Sequence, residues 1–126
     1  MKRPQFNKIN QLNSDIRVDH AGEYGARRIY EGQLQAELSQ KDYDIIKHMY
    51  DQEIQHLDYF NNQMKNRSIR PTILMPIWHI GGYLMGVITS KMGVKQAMVC
   101  TEAVEEVIDK HYEQQKNLIN SIENEN

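Results

Sequence analysis

An all-α bundle is the fold class this sequence predicts, on three observations. Apolar residues recur at three- and four-residue steps over long stretches, which lines one face of a helix. No stretch shows the strict apolar–polar alternation of a half-buried strand. Helix-breaking residues, Pro71, Pro76 and Gly93, fall between the periodic stretches rather than inside them. At 126 residues the chain makes one domain, large enough for a core.

The first helix is expected to start near Ser14 or Asp15, both good N-caps. Residues 1–14 then read as a polar N-terminal extension and 15–126 as the folded domain. Ile16, His20, Glu23, Ala26, Tyr30 and Leu34 form the inward face of this helix. Gly22, Gly25 and Gly32 weaken it by roughly 1 kcal/mol each relative to alanine, so something is expected to pack closely there.

The second helix is expected from Lys41 or Asp42 to about Met64, with Ile46, Met49, Glu53, His56, Phe60 and Gln63 facing inward. A break over Asn66 to Pro76 follows, because two prolines stop a helix. The third helix reads from Ile77 to Met92 and the fourth from Val94 to Ile122. Met98, Thr101, Glu105, Ile108, Tyr112, Gln115 and Ile119 line the fourth. Glu123 to Asn126 is a polar tail, expected to fray.

Pro71 to Ser90 contains no Asp, Glu, Lys or Arg. Its glycines, threonines, histidine and prolines dilute it below the ~20 mostly apolar residues of a spanning helix. Two readings stay open: a buried core helix, or an interfacial helix led by Ile73, Leu74, Met75, Ile77, Trp78, Tyr83 and Leu84.

A net charge of −2 argues against a general nucleic-acid binder. The single cysteine, Cys100, excludes an internal disulfide and fits a reducing compartment. Met1 to Ser14 carries no apolar run of the signal-peptide kind, so the expected location is intracellular.

The chemistry lies where the stripes break their own rule. Glu23, Glu53 and Glu105 each occupy the centre of an apolar stripe. An ionised carboxylate taken out of water costs several kcal/mol, even after relaxation. Pairing with Arg is one compensation, but Arg17, Arg27 and Arg28 fall largely off the Glu23 stripe. Metal is the other. His56 follows Glu53 by three residues, so both side chains reach one point, and imidazole with carboxylates suits iron or manganese. Ferritin-like di-iron proteins use a lone Glu from each of two helices and a Glu-x-x-His from each of two others. Glu23, Glu53, His56 and Glu105 are therefore the candidate metal ligands. His20, His48 and His79 read as structural or exposed, and Cys100 as a small buried residue. His111 and Tyr112 read as packing in preference to partners of a metal ligand.

Four blocks of sequence resemble the demethoxyubiquinone hydroxylase family. They are Arg17 to Ala26 with Ile29, Tyr30 and Gly32; Asp51 to Glu53 with His56 and Phe60; Arg70 to Thr72 with Leu74 to Pro76 and Trp78; and Ala97 and Met98, Cys100 and Thr101, Ala103 to Glu106, with His111 and Tyr112. The resemblance runs from about Asp15 to Gln115. It implies a ferritin-like bundle and a di-iron monooxygenase of ubiquinone biosynthesis. Such an enzyme uses two iron ions and O2 to hydroxylate a polyprenylated demethoxy-benzoquinol. The resemblance also implies iron binding by Glu23, Glu53 (bridging) and His56, with Glu105 as the lone carboxylate of the second half. It implies a peripheral place on the inner, cytoplasmic face of a membrane.

The family pattern continues with a further helix carrying a second Glu-x-x-His, and this sequence stops before it. The expected bundle therefore lacks its last metal-binding helix, one Glu and one His short of four Glu and two His. Two alternatives follow. The chain is a truncated, inactive remnant, or it binds iron as a homodimer that shares one site; a helper subunit is a further possible source of the missing helix.

Overall fold

Ser39 closes the N-terminus of the second helix by accepting a hydrogen bond from the Asp42 backbone N–H at 3.2 Å. That helix ends at Ser68, a non-glycine residue in the left-handed region at φ 55°, with the Ile69 N–H donating to the Met64 carbonyl at 2.8 Å. A computed structural model describes residues 4–124, with side chains described from Asn7 onward. Its elements are α1 (Pro4–Gln33), α2 (Gln40–Arg67), α3 (Met75–Lys91) and α4 (Val94–Asn124). Among the described residues there is no strand, and the four helices form an all-α bundle.

Two expected boundaries move. The first helix begins at Pro4, not near Ser14, so most of the expected extension is helix; Met1 to Arg3 lie outside the described residues. Proline is tolerated in a first turn, and the added turns are held by tertiary contacts. Leu12 and Ile16 join Phe60 and Met64 in a cluster covered by Leu118, Ile119 and Ile122. The Lys8 ammonium donates to Ser121 Oγ at 2.6 Å. The same contacts carry α4 to Asn124, through part of the tail expected to fray. At the other boundary, Pro76 lies in the first turn of α3, which starts at Met75, instead of ending the loop before it, since its missing N–H is not needed there.

α1 is the central helix and packs against the other three; α3 also lies on α4, whereas α2 and α4 meet only sparsely. The core has two apolar ends. Ala26, Ile29, Tyr30, Ile46 and Ile108 form one, and the Leu12 cluster forms the other. Between them lies a buried polar layer of Asp19, His20, Glu23 and Glu53.

α3 turns its glycines inward. An added Cβ on Gly86 would run into the Ile29 carbonyl, and one on Gly82 would stand 2.9 Å from the Gly25 carbonyl. Backbone lies against backbone here, which answers why α1 and α3 tolerate glycine in helix interiors. The large apolar side chains of α3 face outward, with Ile73 just before it 93% exposed and Ile77, Ile80, Leu84 and Ile88 also exposed. Burial thus holds for the glycine face alone. Among the described residues no helix is long and apolar enough to cross a membrane.

Candidate metal centre

Glu23 and Glu53 are brought together from α1 and α2 in the buried polar layer, both essentially sealed from solvent. His56, one turn after Glu53, stands at the rim with its side chain 49% exposed. Its Nδ1 lies 3.5 Å from Glu23 Oε2 and 3.7 Å from Glu53 Oε2. One ligand atom from each residue falls within 4.8 Å of the others. Those two carboxylate oxygens have no hydrogen-bond partner. Buried oxygens without partners cost about 1–3 kcal/mol each, more when charged. Converging on an imidazole nitrogen, they form a group that can hold a cation, and among the described residues no other such group forms.

Glu105 stands apart from that trio. Its Oε1 accepts a hydrogen bond from the Tyr30 hydroxyl at 2.7 Å, and its charge is near enough to help raise the Glu23 pKa. Burial is the main cause of that rise; hydrogen bonding from the Tyr112 hydroxyl and the neighbouring His56 oppose it. Tyr112 donates to Glu23 Oε1, leaving Oε2 to face His56. Both tyrosine hydroxyls are themselves pushed up, first by burial and then by the carboxylates that accept from them. They are donors at any ordinary pH.

The expectation that Tyr112 is packing needs correction. Its ring does stack on Phe60, with centroids 5.6 Å apart, but its hydroxyl reaches the metal-type carboxylate. A tyrosine on the Glu105 stripe two turns on was the available signal, since buried tyrosine hydroxyls usually find partners. The other histidines match their reading. His20 is buried, with Nε2 and Asn61 Oδ1 2.8 Å apart across α1 and α2; His79 meets the Tyr24 hydroxyl at 2.6 Å on the surface. The arginines lie elsewhere. Arg27 and Arg28 pair with Glu31 at 3.1 and 2.8 Å, and Arg17 donates to the Arg70 carbonyl at 2.9 Å.

Periodicity alone did not mark Asp19. It is buried one turn before Glu23, and its Oδ2 has no partner. Burial, then the charges of Asp15 and Glu23, push its carboxyl up to about 7. It lines a cavity of about 360 Å³ among α1, the loop before α3, and α4. A second cavity of about 450 Å³ continues along the α1, α3 and α4 junction, with Trp78 and Ile108 common to both. A third space of about 310 Å³ opens between α2 and α4 beside His56 and Tyr112.

The family model described as ubiquinone biosynthesis protein COQ7 matches residues 10–126. The chain belongs to the COQ7 family. It is 48% identical over 105 residues to the NADPH-dependent 3-demethoxyubiquinone 3-hydroxylase, mitochondrial, of Dictyostelium discoideum, covering 83% of this chain and 48% of that protein. The mouse protein of the same name is 47% identical over 112 residues, covering 87% and 52%. The 3-demethoxyubiquinol 3-hydroxylase of Rhodospirillum rubrum is 47% identical over 102 residues, covering 79% and 48%. The chain thus spans about half the length of these curated COQ7 relatives.

Proposed function

We propose that this chain carries half of the di-iron centre of an O2-dependent hydroxylase acting on a polyprenylated demethoxy-benzoquinol. The observation that carries the reading is the pair of buried, partnerless oxygens of Glu23 and Glu53 converging on His56. Names of the COQ7 relatives support the substrate class, and the carboxylate–imidazole donor set fits iron. Glu23, Glu53 and His56 would hold iron, and Glu105, now held by Tyr30, would join them. Bound iron would supply the activation of O2 that the side chains cannot.

The chain's own residues prepare the place. Tyr112 fixes one Glu23 oxygen, so that the other remains free for the metal. Tyr30 holds Glu105 ready beside it. The apolar clusters above and below the polar layer shield it from water on those two sides, and the side beside His56 stays open. The outward apolar face of α3 supports a peripheral place on a membrane surface, where a prenylated substrate resides. The inner, cytoplasmic face remains the expected side for this chain, whereas several relatives are named mitochondrial.

A second Glu and a second His would complete the set, and the open space between α2 and α4 beside His56 and Tyr112 is where they would enter. A second copy of this chain is one source, because two sets of Glu23, Glu53 and His56 also make four Glu and two His. Anaerobic loading with ferrous ion followed by gel filtration tests the reading. One iron per chain, in a dimer that assembles one centre, is the expected result, together with hydroxylated quinol when reductant and O2 are supplied. No retained iron by the wild-type chain overturns it.

A further inference from the structure

The two adjoining cavities along α1, α3 and α4 differ in character. The one that continues along α3 is walled by Ala26, Ile29, Ile77, Met85 and Val104, with no charged residue. The one nearer the loop adds Asp19, Arg17, Thr72 and His111. A space apolar at one end and polar at the other fits an amphipathic molecule. At the polar end the Asp19 carboxyl is 5% exposed with Oδ2 unpartnered, one helical turn from Glu23 and electrostatically coupled to the Tyr112 hydroxyl. It lines this cavity one helical turn from the nearest metal-type residue.

We propose that Asp19 reads the head group: its carboxyl accepts a hydrogen bond from a hydroxyl on the aromatic head of a molecule whose tail lies along the apolar cavity. This rests on the quinol-hydroxylase reading and adds the residue that orients the ring. A hydroxyl is favoured over a cation because the Arg17 guanidinium and the His111 ring line the same space. A buried carboxyl left without a partner is costly, and a ligand hydroxyl removes that cost only when bound. A hydroxyl-free analogue leaves it in place.

The single tryptophan, Trp78, lines both cavities and reports on occupancy by fluorescence quenching. The experiment titrates the whole chain, under anaerobic reducing conditions, with a demethoxy-benzoquinol bearing a two-isoprene tail and with its bis-O-methyl ether. Wild type is expected to bind the quinol roughly tenfold more tightly than the ether. Asp19→Leu is expected to abolish that preference while leaving the ether's affinity in place. Asp19→Asn, which keeps an acceptor and nearly the same shape, retains part of it, and helical circular dichroism confirms that each variant is folded. Equal binding of quinol and ether by wild type, or the same preference in wild type and both variants, overturns the role of Asp19 and leaves the hydroxylase reading intact. Absence of quenching by either compound removes the cavity as the head-group site and with it the role of Asp19, while iron retention remains the test of the hydroxylase reading.

Discussion

The α1–α3 contact and the α2–α4 gap are opposite solutions within one bundle. Along α1 and α3, Gly32, Gly82 and Gly86 bring backbone against backbone with no room for a methyl group. Between α2 and α4 the helices part, leaving the space beside His56 and Tyr112. The first region spends helix propensity on close packing. The second holds partnerless carboxylate oxygens and a half-exposed imidazole, groups that lower stability until something binds them. The tight seam is the scaffold and the loose one holds the proposed metal site, because a metal centre needs ligand atoms that the protein's own side chains leave unsatisfied.

The largest effect should come from filling the seam. Gly86→Ala is expected to cost roughly 3 kcal/mol or more in denaturant unfolding, since the Ile29 carbonyl occupies the methyl position. Gly81→Ala on the same helix, with nothing within 4 Å of the added carbon, should instead stabilise by about 0.5–1 kcal/mol. Equal effects at the two positions would break the contrast.

Changing the site should act with a sign that depends on metal. Glu53→Gln is expected to stabilise the metal-free chain by roughly 1–2 kcal/mol, because it removes a buried, partnerless charge. The same variant should fail to retain iron after gel filtration. Stabilisation by iron equal to that of wild type would show that the loose region is not the metal site. Tyr112→Phe is a smaller change: about 1 kcal/mol from the lost hydrogen bond, and iron affinity down about tenfold by equilibrium dialysis.

A further effect is in pH dependence. The folded Asp19 carboxyl is raised to about 7 from 3.8, so the folded chain binds more protons than the unfolded one between these values. Its contribution is fully present below about pH 4 and is lost as pH rises through 7. Glu23, also raised by burial, works in the same direction. Metal-free unfolding measured at pH 5.5 and 8 should therefore show lower stability at the higher pH, and Asp19→Asn should flatten the difference.

Much of the fold was legible because each helix advertises its inward face. Ile16, His20, Glu23, Ala26 and Tyr30 are all buried, as their spacing required. The second stripe was less faithful. Leu57 and Met64 are buried, and His56, assigned to the core face, is half exposed at the rim. Spacing fixes an angle around the helix axis but says nothing of how far a neighbour covers it, and α4 does not close over α2. The start of α1 escaped notice for a similar reason. Phe6, Ile9 and Leu12 do continue the Ile16 stripe at three- and four-residue steps, but that stripe is short and set among polar residues, and Ile119 and Ile122, over a hundred residues later, are what cover Leu12.

By itself the sequence determined the helices, the family, and the four carboxylate and imidazole residues as candidates, because periodicity and residue type are local properties. Only the tertiary structure decided which of them meet. It joined Glu23, Glu53 and His56, assigned Glu105 to Tyr30 and Tyr112 to Glu23, and turned the apolar side chains of α3 outward. Those outcomes depend on distances between helices, and in this chain the α1–α3 backbone contact sets the packing against which the looser α2 and α4 are placed.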